Sequence, residues 1–164
     1  MNRSQTIIPF TSMAILALAG CTGITASGEG PRVVDPAPPA LPAQPVELGP
    51  QTLAPDECAL FLWTAAEPRR LIFFTKALSG TGKLSLQGKE VALTQSAAGG
   101  DLFGQFMTET DFDAPGQTVT VSVVPGEDIE DGQRINSGKI LLRDAEGWET
   151  IMPVLGLRAC QPAD

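Results

Sequence analysis

Glu109, Asp111 and Asp113 recur at every second position, and the stretch Gly126-Glu127-Asp128-Ile129-Glu130-Asp131-Gly132 gathers further acids between glycines. Paired carboxylates act as general acid and base on a glycosidic bond when burial raises the pKa of one of them and their separation is fixed. On a strand, alternate residues share a face. The acids at 109, 111 and 113 therefore oppose Phe106, Thr108, Thr110 and Phe112. The phenylalanines claim the inward side, so the acids belong in solvent. Glu127, Asp128, Glu130 and Asp131 offer the hard oxygens that calcium takes in a flexible loop, which makes them a candidate for a low-affinity surface calcium site. Ile129 occupies a ligand position of the EF-hand order, however, as Pro115 and Ser122 do in a loop started at Asp111. A solvated turn is the simpler expectation.

Other arrangements carry less chemistry. Gly80-Thr81-Gly82-Lys83 has the look of a phosphate loop, but Leu84 stands where Ser or Thr would hold a metal and the pattern that follows is a strand. Without a helix N-terminus the amides cradle nothing. Ser137 and Lys139 are two apart, a spacing that marks one face of a strand more simply than a catalytic pair. The chain has no histidine, which removes Ser-His and Cys-His nucleophiles, imidazole bases and imidazole metal sites. With 11 Lys and Arg against 19 Asp and Glu and a net charge of -8, it is not built to neutralise phosphates, and nucleic acid is excluded as a partner. The expectation is a non-enzyme without a cofactor.

The elements that would position these residues have period two. Val119, Val121 and Val123 alternate with Thr118, Thr120 and Ser122, the pattern of a half-buried strand. Leu84 and Leu86 are followed by Gly88-Lys89, where a type II′ hairpin turn fits, and then by Val91 and Leu93. Ile140 and Leu142 lead into Asp144-Ala145-Glu146-Gly147, with Trp148 to Met152 as the returning strand and Pro153 expected to break or edge the ladder. Segments at 103–113 and 155–160 complete seven or eight short strands over residues 57–164. That predicts an all-β domain, a small antiparallel sandwich or barrel. Leu60-Phe61-Leu62-Trp63 and Leu71-Ile72-Phe73-Phe74 are apolar on both faces. Either a loop or the preceding linker covers the second face, or Trp63 and Phe73 anchor an apolar groove for a hydrophobic ligand, lipid or partner.

The N-terminus places the protein. A polar start with Arg3 precedes an apolar run from Ile7 to Gly20, too short to span a bilayer and suited to a secretory signal. Leu18-Ala19-Gly20-Cys21 resembles the lipobox of bacterial lipoproteins. The resemblance implies cleavage after residue 20, a diacylglycerol on the Cys21 thiol and acylation of the new amino group, palmitate being the usual chain. Two or more acyl chains hold a membrane where one binds only reversibly. Thr22, in place of the Asp that retains such proteins at the inner membrane, implies an anchor in the cell outer membrane, facing the periplasm. With Cys21 taken by lipid, Cys58 and Cys160 remain, and in an oxidising compartment they are expected to form a disulfide between the first and last strands.

Residues 21–56 contain eight prolines and no aromatic residue, the composition of an extended, disordered tether. The division is then signal peptide at 1–20, lipidated tether at 21–56 and disulfide-clamped β domain at 57–164. The expected function is non-catalytic binding or assembly with another envelope protein. A carboxylate-based envelope hydrolase and a carrier of a small apolar ligand are the alternatives.

Overall fold

The computed structural model describes residues 47–163. The signal segment, Cys21 and the linker up to residue 46 lie outside the described residues. Eight strands follow one another: β1 (Cys58–Thr64), β2 (Leu71–Lys76), β3 (Thr81–Leu86), β4 (Lys89–Phe103), β5 (Phe106–Ala114), β6 (Gln117–Ile129), β7 (Gly132–Asp144) and β8 (Glu149–Cys160). Each is antiparallel to the next, and β1 pairs with β8, so the sheet closes into a barrel. Closure removes the free edges that an open sandwich would leave.

Alternation decides which side chains fill the interior. On β6, Val119, Val121 and Val123 are buried, while Thr118 is exposed and Thr120 and Ser122 are half-buried. Leu60, Leu62, Phe73, Leu84, Leu93, Phe112, Ile140 and Val154 join the valines in one core. Phe73 and Phe112 meet edge to face at the centre, ring centroids 5.6 Å apart. Gly156 faces inward where a Cβ would lie 2.2 Å from the Phe61 carbonyl oxygen, so no larger residue fits this close approach of β8 to β1.

The two doubly apolar strands are explained by a bulge and a covering segment. Leu62 pairs with Phe73 and Trp63 with Leu71, so Ile72 is an extra residue between them and turns inward beside Phe73. Ala59, Leu71 and Phe74 face outward and are nevertheless buried, because Leu48 and Leu53 pack over them. The Leu48 amide donates to the Leu71 carbonyl at 2.7 Å. Residues 47–56, expected as part of the extended tether, thus form a strap along the outer wall. They run from the β1–β2 end of the barrel to the start of β1.

Two local expectations need correction. The β3–β4 turn has Gln87 and Gly88 at its centre, both with positive φ (48° and 81°), which is type I′ and not the type II′ turn expected at Gly88-Lys89. Pro153 does not interrupt β8, which runs on to Cys160. Its carbonyl accepts from the Ala65 amide, beyond the end of β1 at Thr64, so the missing N–H lies on the side where the ladder has already stopped. The Asp144–Trp148 turn forms as expected. The Trp148 amide donates to Asp144 Oδ1 at 2.8 Å, and the Asp144 amide to the Trp148 carbonyl at 3.1 Å.

Candidate functional site

The barrel wall is not of even height. β2 and β3 have 6 residues each, while β4 has 15. β3 pairs with β4 only as far as Thr81–Thr94, so from residue 95 onward β4 leaves β3 behind and continues with β5 as a projecting hairpin. Bulges between Gln95 and Ala97 and between Gly99 and Leu102 bend that hairpin. Gly100 supplies a positive φ of 78°, and the Asp101 amide donates to Thr108 Oγ1 at 2.8 Å, fixing the bend. The tip then lies over the end of the barrel. Phe103 and Phe106 enter the core, and Gly104 sits so close to the Arg158 guanidinium that a Cβ would be 2.8 Å from Nη1.

Between this hairpin and the β2–β3 turn lies a cavity of about 580 Å³, within the usual range for small-molecule sites of roughly 300–1,000 Å³. Its floor is the end of the core, with Leu60, Phe73, Phe112 and Val121, and its side wall carries Met107 and Thr110. Small residues, Gly80, Ser96, Ala97 and Ala98, leave the space open. At the rim Leu78 is 91% exposed and Leu102 70% exposed. Leu78 also holds a positive φ of 57°, a region that L side chains adopt at a cost of about 1–2 kcal/mol. The turn around it is fixed. Ser79 Oγ donates to the Lys76 and Thr81 carbonyls at 2.9 and 3.0 Å, and the Gln95 amide donates to the Gly80 carbonyl at 2.8 Å.

Rim electrostatics are balanced. Lys76 Nζ lies 2.6 Å from Glu57 Oε2, which also accepts from the Ala54 amide at 2.7 Å. The amide and then the ammonium hold the Glu57 carboxyl below its ordinary range. The remaining polar groups at the mouth, Gln95, Ser96 and Gln105, are neutral. Arg158 points inward beneath the hairpin tip, opposite Leu60, with its Nη1 3.6 Å from Cys160 Sγ and its Nε buried without a partner. The opposite mouth differs. It is a depression of about 730 Å³ where Leu142 and Met152 are ringed by Gln87, Lys89, Gln117, Asp144 and Thr150, and where Trp148 is 76% exposed.

The residues singled out from the sequence fall in different places. Trp63 and Phe73 do not form one groove. Phe73 is in the barrel core and on the cavity floor, whereas Trp63 is on the outer wall stacked 6.1 Å from Phe61. Phe73 pairs with Leu62, the neighbour of Trp63, so alternation puts the two rings on opposite faces, a register that sequence spacing alone does not reveal. Glu109, Asp111 and Asp113 pair with Ser122, Thr120 and Thr118 on the outer face, and Asp111 accepts from Thr120 Oγ1 at 2.6 Å. Gly126–Gly132 is not a loop. β6 continues to Ile129 and β7 starts at Gly132, so only Glu130 and Asp131 form the turn. Among the calcium candidates Glu127 pairs with Arg134 at 2.9 Å, and no group of three or more metal-ligating side chains occurs among the described residues. Cys58 and Cys160 are bonded, their Cα atoms 3.9 Å apart across the β1–β8 seam.

Leu78, Leu102 and the run Ser96–Gly100 went unnoticed in the sequence. The signal that could have found them is that run itself, a Gly- and Ala-rich stretch lacking side chains to pack, between two strands. No protein-family model, no curated protein and no solved structure matches the chain.

Proposed function

We propose that this chain is a lipid-anchored protein of the outer membrane, facing the periplasm, whose barrel works by binding and not by catalysis. The observation that supports this most directly is the sorting of side chains across the wall. Aromatic and aliphatic residues fill the interior and the mouth, while Glu109, Asp111 and Asp113 lie on the outer face. A hydrolase would need two carboxylates in one partly enclosed cleft. The partner in this reading is another envelope protein that meets the acidic barrel with a basic patch, an arrangement that speeds encounter and sets orientation. The membrane is a second partner, held through the acylated Cys21.

In-cell crosslinking of the mature lipoprotein, followed by mass spectrometry, tests this reading. One stoichiometric envelope protein and an N-terminal peptide that starts at an acylated Cys21 are expected. An unmodified residue 21 or a retained signal segment would overturn the anchor, and steady turnover of envelope glycan by the purified protein would overturn the binding role. The cavity between the two hairpins favours a second reading, carriage of a small apolar ligand.

A further inference from the structure

We infer that the mouth between the β2–β3 turn and the β4–β5 hairpin binds a single aliphatic chain carrying an uncharged, hydrogen-bonding head group. This rests on the barrel being a binding module and names the ligand class. Three observations carry it. The first is shape. The turn and β4 are joined at one edge by the Gln95–Gly80 hydrogen bond, and the space beside them is flanked by the exposed leucines and closed below by Phe73 and Phe112. A space of about 580 Å³ with a leucine on either side offers an aliphatic chain contact along both flanks.

The second is the floor. Phe73, Phe112 and Val121 close the space from below with almost no exposed surface, so the apolar area open to a ligand is that of Leu78, Leu102 and the small residues of β4. The third is the rim. Leu78 and Leu102 stand in water on two different hairpins, one of them in a backbone conformation that disfavours leucine. Side chains so placed do nothing for the packing of the barrel. On either side of the opening they cover the part of a chain that emerges from it.

Charge selects the head group. The cation that lines the cavity, Lys76, is already neutralised by Glu57, and Arg158 beneath the hairpin tip is not among the lining residues, so an anionic head finds no free cation there. Gln95, Gln105 and Ser96 offer neutral donors and acceptors instead. An aliphatic alcohol, amide or monoacylglycerol meets these conditions; a free carboxylate does not.

The test uses the full mature chain in lipid nanodiscs with two photoreactive probes, a diazirine-bearing long-chain alcohol and the carboxylate of the same length. Adducts are mapped by peptide mass spectrometry. The alcohol is expected to label peptides covering 77–80 and 95–110, several-fold more than the carboxylate. The double variant Leu78→Gln/Leu102→Gln, altered only at exposed positions, should lower that labelling at least about fivefold. Ala98→Phe, which narrows the space from its exposed wall, should abolish it while the Cys58–Cys160 bond still forms. Labelling spread evenly over the outer wall, or confined to the Trp148 end, would overturn the proposal, as would equal labelling by the carboxylate. If the double variant loses labelling yet still crosslinks to its envelope protein, the chain site and the protein-binding surface are separate and the inference stands. Crosslinking without any alcohol adduct at the mouth removes the inference and leaves the binding reading intact.

Discussion

The first three strands of the barrel and the last five obey the same alternation but differ in reach. β1, β2 and β3 have 7, 6 and 6 residues; β4 to β8 have from 9 to 15. In a closed sheet every strand must pair on both sides, so a low stretch of wall beside a high one leaves pairing groups and apolar surface to be dealt with at the rim. The high side deals with it by folding over. The β4–β5 hairpin bends at two bulges, sends Phe103 and Phe106 into the core and stops short of the β2–β3 turn. The cavity is what remains of the mismatch. It arises from unequal strand lengths around a well-filled core, with Phe73 from the low side and Phe112 from the high side in contact at its floor.

Substitutions at the seam and across the floor test how far the two sides depend on each other. The largest effect is expected where low β1 meets high β8. Cys58→Ser with Cys160→Ser opens a loop closed across a sequence separation of 102, for which the chain-entropy estimate is roughly 4.7 kcal/mol. Denaturant titration should show the midpoint falling by most of that amount, and a loss under about 1 kcal/mol would mean that the β1–β8 ladder holds the seam alone. Next come Phe73→Ala and Phe112→Ala, each expected to remove about 3–5 kcal/mol by leaving a cavity in the core. In a double-mutant cycle the pair should show a coupling of about 0.5–1.5 kcal/mol, whereas strict additivity would show that the low and high walls are packed independently.

Leu78→Gly should run the other way. It relieves a positive φ at an exposed position and should raise stability by up to about 1 kcal/mol in a thermal melt, while binding of an aliphatic alcohol weakens. The smallest effect concerns pH. The Glu57 carboxyl is held below its ordinary value of 4.5 by the Ala54 amide and the Lys76 ammonium. Its stabilising contribution is therefore complete above the unfolded value and is lost as pH falls through the lower, folded value. Acid titrations of unfolding should show a flatter profile for Glu57→Gln than for the natural chain below about pH 4.5, with the two curves parallel at neutral pH.

Much of this barrel is written in local patterns. The alternation at Thr118–Val123 and the Asp144–Trp148 turn follow from residue types within a few positions of each other, and both appear in the structure as expected. The two cysteines point to the closure of β1 on β8, although the choice of barrel over sandwich depends on pairings far apart in sequence. The reach of β4 to Phe103 was hidden, because Ser96–Gly100 has neither β-branched residues nor alternation and is held in the sheet by its partner β5. The separation of Trp63 from Phe73 was hidden too. It depends on the register of β1 against β2, which sets Leu62 and not Trp63 opposite Phe73, while Leu48 and Leu53 of the preceding segment cover the outer face, the covering that the sequence offered as one of two readings. The cavity belongs to no single segment, so no window of sequence displays it.

The strap over the outer wall also determines how this domain bears mechanical load. Tension arriving along the chain at residue 47 first pulls on Leu48, whose hold on Leu71 and Phe74 is a short hydrogen bond and a small apolar contact. Once that is peeled away, the pull reaches Glu57 and Cys58, which are laced to Gln161 by backbone hydrogen bonds and to Cys160 by a covalent bond. From there the force passes into β8, and β1 cannot be unzipped from it. A tug arriving at residue 47 thus meets a weak extensible clasp first and a covalent stop second, so the barrel can be dragged from that point without being opened.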